Sequence, residues 1–249
     1  MYSRTQSEAD LYHVVARGTG RQLIFEDDSD CRLFLKLLKE GLDKHDVELY
    51  AWCLMGNHVH LLVHAPMASV SKLMKQVLGT YAMRFNLKTG RVGHLFQSRF
   101  RSEPIADESY LLTVMRYIHE NPVKAGIGPI DSYPWSSYRE YIGRPRICQT
   151  AFLLEMLGGV SSFRAFHERY HDEGQCLDID SERNATRGMP DGRAIEIAEA
   201  VLDGAALNDV KTFPPEQRTR CLRSLTRAGL TVRQIERLTG IGRNTVARS

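Results

Sequence analysis

Along the first half of the chain, apolar positions switch between the period of two that suits a strand and the period of about 3.6 that suits a helix. "DLYHVVARGTG", Asp10 to Gly20, is a β-branched run closed by glycines and predicts a strand. "EDDSDCRLFLKLLKEGLDKHD" follows with Leu33, Phe34, Leu37, Leu38 and Leu42 at helical spacing, and Asp27, Asp28 and Ser29 offer an acidic N-terminal cap. "VELYAWCLM" and "HVHLLVHA" predict two strands joined by Gly56-Asn57, a dipeptide that tolerates positive φ in a tight hairpin. "SVSKLMKQVLGTYAMRFNLKTG" predicts a long helix stopped near Thr89-Gly90, and "GHLFQSRFRSEPI" a further strand. "DESYLLTVMRYIHENP" predicts a helix that has to end by Pro122. The order β-α-β-β-α-β plus an extra helix is the ferredoxin-like, split βαβ plan of an α+β fold. It expects a four-stranded antiparallel sheet with two helices on one face and the other face free to build a site.

After Tyr138 the pattern weakens, and "EGQCLDIDSERNATRGMPDG", Glu173 to Gly192, reads as an acidic linker or irregular connection. The last residues regain order: "TVRQIERLTGIGRNTVARS" fits a helix-turn-helix, with a helix through Ile235 and Leu238, a turn at Gly240, and a short second helix carrying Arg243, Asn244, Thr245 and Arg248. It departs from the common pattern at Glu236, where a small residue is usual, and at Gly242, where a serine cap is usual. Three units are therefore expected: residues 1–145, a helical or irregular acidic connection over 146–210, and a helix-turn-helix-like DNA-binding unit over 211–249. The alternative for the last is a small helical pair that packs on the first unit.

Charge sharpens this division. The net charge is only +3, yet from Leu49 to Ser102 there is no Asp or Glu, while Lys72, Lys75, Arg84, Lys88, Arg91, Arg99 and Arg101 fall in that window. Residues 155–210 carry 12 acids against 5 Lys/Arg, and residues 211–249 carry 9 Lys/Arg against 2 acids. One-signed basic surfaces face a polyanion, and nucleic acid is the obvious one. Phe85, Phe96 and Phe100, interleaved with the basic residues, suit either base stacking or core packing. The polar start "MYSRTQSEAD" lacks the layout of a secretory signal, and no apolar run approaches the ~18 residues of a membrane span, so a cytoplasmic protein is expected. Five cysteines without a C-x-x-C pair suggest no zinc ribbon or redox motif.

The candidate chemistry sits in "MGNHVHLLVHA", Met55 to Ala65. On a strand, His58 and His60 share one face with Leu62 and His64, while Val59, Leu61 and Val63 share the other and can make the core. Two such imidazoles, with Cβ atoms ~6–7 Å apart, can reach one metal ion. The pair alone is equally compatible with polar residues on an open sheet face. In "RYIHENP", Tyr117 and Asn121 are four apart and lie on one helical face, where they suit an amide ligand and a neighbouring phenol, or simple packing and helix-end roles. His119 points elsewhere.

From about Tyr12 to Gly143, the chain resembles the single-tyrosine HUH (His-hydrophobic-His) transposases, most closely the REP-associated tyrosine transposases. The segments that carry the resemblance are "YHVVARGTGRQLIFEDDSD", "YAWCLMGNHVHLLV", "GHLFQSRFRS", "YLLTVMRYIHENPVKAGI" and "YPWSSYREYIG", in order and with ordinary spacing over about half the protein. The resemblance implies His58, His60 and Asn121 as metal ligands and Tyr117 as nucleophile. Tyr110, seven residues earlier, is the competing tyrosine, but Tyr117 alone has Asn four positions on within the family's "YIHxNP" pattern. Arg99 and Arg101 fall in the family's basic strand and are expected on DNA phosphates; Arg243, Asn244 and Arg248 are the candidates in the C-terminal unit.

A tyrosine nucleophile keeps the phosphodiester energy in a 5′-phosphotyrosine and releases a 3′-hydroxyl for rejoining. By family analogy the ion belongs to the Mg²⁺/Mn²⁺ class and the substrate is single-stranded DNA with a hairpin, with duplex DNA as a further partner of the C-terminal unit. One nucleophile per chain leaves both monomer and homodimer open. Two other functions remain compatible with the sequence: a DNA-binding regulator built on an inactive catalytic scaffold, and a metal hydrolase that uses His58 and His60 with water.

Overall fold

The computed structural model describes residues 7–168, 191–203 and 205–249. The acidic stretch from Glu173 therefore lies, up to Pro190, outside the described residues. The first half runs β1 (Leu11–Arg17), α1 (Asp28–His45), β2 (Glu48–Met55), β3 (His58–His64), α2 (Met67–Thr89), β4 (Arg101–Pro104) and α3 (Glu108–Lys124). The strands form one antiparallel sheet in the order β2-β3-β1-β4, the ferredoxin-like arrangement that the order of elements predicts.

Local chemistry sets the helix ends. The Asp27 carboxylate accepts from the Ser29 and Asp30 amides while Asp30 accepts from the Asp27 amide, a reciprocal cap that satisfies orphan donors at the start of α1. Helix α2 stops at Gly90, which takes the left-handed conformation at φ 63° and returns its amide to Asn86. At that end Lys88 reaches back to α1, with Nζ 2.7 Å from Asp27 and 2.8 Å from Asp30.

The valine and leucine row of β3 is core, as alternation requires. Val59, Leu61 and Val63 meet Val14 and Ala16 of β1, Trp52 and Leu54 of β2, and Phe34, Leu38, Leu73, Val77 and Tyr81 from α1 and α2. Each such side chain, fully buried, contributes roughly 1.5–3 kcal/mol. The opposite face is not open. Helix α3 lies across it through Leu111, Val114, Met115 and Ile118, followed by α4 (Tyr138–Ile142), α5 (Ala151–Leu157) and α6 (Val160–Glu168), whose Tyr141, Leu153 and Phe163 join the same cluster with Ala51, Cys53 and Leu62 of the sheet. The sheet is thus sandwiched, because Ala51, Cys53, Met55 and Leu62 make even the histidine face too apolar to leave in water.

Three local expectations are corrected. Helix α3 passes through Pro122 and ends at Lys124. Proline removes the amide that would bond to the Ile118 carbonyl; the Asn121 side-chain nitrogen donates instead to the Tyr117 carbonyl at 2.9 Å and lies 3.5 Å from that of Ile118. The hairpin forms at Gly56-Asn57, with Met55 paired to His58, but neither turn residue has a left-handed φ. Glycine at 56 serves close approach: its carbonyl accepts from Ile24 and Phe25 at 2.8 and 3.1 Å, and a Cβ would lie 3.0 Å from Leu23 Cδ2. Finally, β4 is shorter than "GHLFQSRFRSEPI", since the chain bends at Gly93, φ 104°, and touches β1 first through an isolated Gly18–Phe96 bridge.

The C-terminal unit comprises α7 (Asp191–Leu202), α8 (Pro215–Arg227), α9 (Val232–Thr239) and α10 (Arg243–Arg248). Ala198, Leu222, Leu225, Ile235, Leu238 and Val246 form its core together with Leu23 of the sheet domain. Helices α9 and α10 are joined by a turn at Gly240, which is left-handed at φ 68°. The two departures noted in its sequence compensate each other: Glu236 accepts from the Arg243 amide at 3.1 Å and caps α10 in place of the absent serine.

Candidate active site

Directly paired residues of neighbouring strands share a face, so register decides what surrounds the histidines. Across β1–β3, Arg17 is opposite His58, Val15 opposite His60 and His13 opposite Leu62. Across β1–β4, Arg101 is opposite Val15 and Glu103 opposite His13. All of these lie on the face under α3. From that helix Tyr117 descends onto the histidines, its ring centroid 5.6 Å from that of His60 and 5.8 Å from that of His13. The His58 and His60 rings are 4.8 Å apart and edge-on. Asn121 and Lys124 follow Tyr117 on the same helical face, with Lys124 Nζ 4.2 Å from the centre of the phenol ring. Relative exposure is 4% for His58, 1% for His60, 7% for Tyr117 and 8% for Asn121, so the cluster is an enclosed slot rather than a row of solvent-facing side chains.

Hydrogen bonding orients the donors. Asn57 gives its amide nitrogen to the Arg21 carbonyl at 3.2 Å, so its oxygen faces His58 Nδ1 at 2.6 Å. An amide oxygen only accepts, which puts a proton on His58 Nδ1 and, in the neutral ring, leaves the lone pair on Nε2. His60 Nδ1 pairs with His13 Nε2 at 3.0 Å, and His60 Nε2 is buried with no hydrogen-bond partner. Burial, then the neighbouring His58, His13, Arg17 and Lys124, holds the His60 imidazole well below its ordinary range and keeps it neutral. Burial likewise lowers His13, against the opposing pull of Glu103. Because the Asn121 amide nitrogen faces helix carbonyls, its oxygen is turned away from the helix backbone. Two imidazole nitrogens, when neutral, and an amide oxygen are a donor set that fits a divalent ion. Among the described residues no group of three His, Cys, Asp or Glu side chains converges, so an amide would have to complete such a set.

Comparison with known proteins finds similarities over the part of the chain that carries this cluster. Residues 7–121 match the model described as transposase, IS200-like, a span that runs from just before β1 to Asn121. Over these residues, a little under half of its length, the chain is similar to the IS200-like transposases. A Haemophilus influenzae protein described as a REP-associated tyrosine transposase is 26% identical to this chain over 117 residues, 42% of this chain and 66% of that protein. The chain thus spans a little under two thirds of that relative's length. A solved structure described as a REP-associated tyrosine transposase bound to a REP hairpin aligns over 72% of this chain and 98% of its own, at 16% identity and TM-score 0.47. A Deinococcus radiodurans protein described as a transposase aligns over 48% of this chain and 96% of its own, at 19% identity and TM-score 0.35.

The remaining predicted residues fall in several places. Arg101 is exposed on β4, on the face that carries the histidines, and Arg99 is exposed just before it. The acid-free window is not one surface, because α2 packs on the far side of the sheet. Lys72 and Lys75 line a shallow groove there with His45 and Gln76, and Lys88 is ion-paired. Phe85 and Phe100 are in the core and Phe96 packs against it, which removes the first two from base stacking. His119 is buried with its nitrogens 2.8 Å from Ser137 Oγ and 3.0 Å from His167, away from Tyr117 as its spacing predicts. Tyr110 lies at the first turn of α3, partly buried against the same cluster. Arg243, Asn244 and Arg248 are exposed on α10, with Arg243 held by Glu236 through two bonds of 3.0 Å.

Sequence reasoning missed His13, Arg17, Glu103 and Lys124. The signal for the first two was parity: in "YHVVAR", positions 13 and 17 share one face of a strand, and both are buried.

Proposed function

We propose that the transposase domain cuts and rejoins one strand of DNA, with Tyr117 as the nucleophile. The observation that supports this reading most directly is the packing of the Tyr117 ring against His60 and His13, with Asn121 one turn further along the same helical face. The Tyr117 oxygen attacks the scissile phosphorus, the bond from phosphorus to the 3′ oxygen breaks, and the fragment downstream of the cut remains on the enzyme through its 5′ phosphate as a phosphotyrosine. Net, the phenol proton ends on the departing 3′ oxygen. The freed 3′-hydroxyl can later attack the same linkage and restore a phosphodiester.

His58, His60 and Asn121 would hold a divalent ion of the Mg²⁺/Mn²⁺ class, which when bound supplies a Lewis acid for a non-bridging phosphate oxygen. Lys124 adds positive charge beside the phenol, where negative charge develops as the proton leaves, and Arg17 adds it on the sheet opposite His58. Arg99 and Arg101 grip the backbone of the strand that enters at the β4 edge. The substrate is single-stranded DNA with a hairpin, as the resemblance to REP-associated transposases implies, and α10 contacts duplex DNA through Asn244 and Arg248.

The test is incubation of a labelled hairpin single strand with the protein and Mn²⁺, followed by denaturing electrophoresis. A covalent adduct is expected from wild type and from Tyr110→Phe, and none from Tyr117→Phe. Cleavage that survives in Tyr117→Phe would assign the reaction to water as nucleophile. Tight duplex binding with no adduct on any hairpin would make the protein a DNA-binding regulator.

A further inference from the structure

The mechanism above leaves His13 without a task, although this imidazole is completely buried and bonded to a candidate metal ligand. Its two nitrogens face different partners. Nε2 meets His60 Nδ1 at 3.0 Å, and Nδ1 lies 3.9 Å from Glu103 Oε2, an ion-pair rather than a hydrogen-bond distance. Glu103 is held in place as the residue directly opposite His13 across β1–β4.

Between two neutral imidazoles, one nitrogen must donate and the other accept, so only two arrangements exist. In the first, His13 Nε2 carries the proton. His60 Nε2 then also carries one, as a buried N–H with no acceptor, and the lone pair of His13 Nδ1 faces a carboxylate. Both features are unfavourable in a water-poor site. In the second, His60 Nδ1 donates to His13 Nε2, His13 Nδ1–H faces Glu103, and the lone pair of His60 Nε2 is turned to where a ligand would sit. The second arrangement moves the unpaired donor from His60 Nε2 to His13 Nδ1, where it faces a carboxylate at 3.9 Å in place of nothing, and so turns the repulsion there into attraction. In the turn before β3, Asn57 does the same for His58 with a single amide oxygen; for His60, the orienting charge is relayed through a second ring.

We propose that His13, oriented by Glu103, is a positioning residue that fixes His60 in the Nδ1–H tautomer and so presents the His60 Nε2 lone pair to a divalent ion. A partner of this kind on the far nitrogen of a ligating histidine sets ring orientation and ligand basicity, and its loss typically weakens metal binding about 10- to 100-fold. The chemical class of ligand is the divalent cation of the proposed function, and only the affinity half of the inference rests on that function.

Two measurements test it. In metal-free protein, long-range ¹H–¹⁵N correlation of the imidazoles reads the tautomers directly: protons on His60 Nδ1 and His13 Nδ1 are expected. A proton on His60 Nε2 in wild type overturns the proposal with no variant needed. In His13→Leu, His60 is expected to move its proton to Nε2, whereas His13→Gln, whose side-chain oxygen can accept in place of Nε2, is expected to retain the wild-type tautomer. By Mn²⁺ titration, His13→Leu is expected to bind about 10- to 100-fold more weakly than wild type, with His13→Gln close to wild type and hairpin binding without divalent ions unchanged in both. Equal Mn²⁺ affinity and an unchanged His60 tautomer in His13→Leu overturn the positioning role. Absence of Mn²⁺ binding in wild type refutes the metal centre instead, and the tautomer measurement then decides the role of His13 by itself.

Discussion

Replacing Glu140 by glutamine tests how the layer over the histidine face is anchored to the sheet. Glu140, on α4, is a buried carboxylate with four donors: Trp52 Nε1 at 2.8 Å on one oxygen, and the amides of Arg146, Ile147 and Cys148 at 2.6, 2.9 and 3.0 Å on the other. It therefore ties a central residue of β2 to the loop that leads into α5. Glutamine keeps the volume and can leave its single oxygen under the three amides, but then its NH₂ confronts the indole N–H. One charge-assisted bond is lost, worth about 1.5–3 kcal/mol, and the three others weaken to neutral strength. The expected cost is about 3 kcal/mol at neutral pH, read as a lowered urea midpoint at unchanged m-value. Adding Trp52→Phe removes the stranded donor, so the double variant should cost less than the sum of the singles by about 1 kcal/mol or more. A Glu140→Gln protein within about 0.5 kcal/mol of wild type would refute the view that this carboxylate organises the layer.

Burial holds His119 well below its ordinary pKa and, aided by the nearby Arg116 charge, puts His167 at about 4 from 6.5, so below pH 6.5 the unfolded chain binds more protons than the folded one. Stability should therefore be full above pH 6.5 and fall as pH drops toward 4, by roughly 3 kcal/mol from His167 alone, measured by urea unfolding across that range. Arg101→Ala should weaken hairpin binding and flatten the plot of log affinity against log salt by about 0.7, the value for one phosphate contact on a single strand, as read by fluorescence anisotropy. Glu236→Ala should destabilise the C-terminal unit by about 1 kcal/mol through loss of the α10 cap, seen as faster amide exchange in α10 with the sheet domain unaffected.

Much of the fold was legible because each element carries its own period and punctuation. The Asp27 cap, the Gly90 stop and the alternation of Val59, Leu61 and Val63 are all local facts, and all reappear in three dimensions. What was not legible depends on tertiary partners. Nothing near Pro122 says that an asparagine one residue earlier supplies the replacement donor, so the helix was expected to stop too soon. Nothing near Gly56 says that the chain at Ile24 and Phe25 closes onto its carbonyl. The site divides in the same way. Tyr117 and the histidines were visible as short motifs, whereas His13 and Glu103 acquire meaning only from register across two strand pairs. The basic window misled because charge along a sequence does not reveal that α2 and β4 look out from opposite sides of the sheet.

The asparagine and proline of α3 also bear on how copies of such a gene should decay. The Asn121 side chain, bonded to the Tyr117 carbonyl beside Pro122, supports the end of α3 whether or not the protein ever cuts DNA, while the Tyr117 ring packs in the apolar cluster that phenylalanine could also fill. Copies released from selection for mobility but retained for some other duty should therefore drift at position 117 and keep 121. On the proposed function, the letter at 117 then reports whether a copy can still cut DNA, whereas 121 is held by the helix as well as by its part in the ion site.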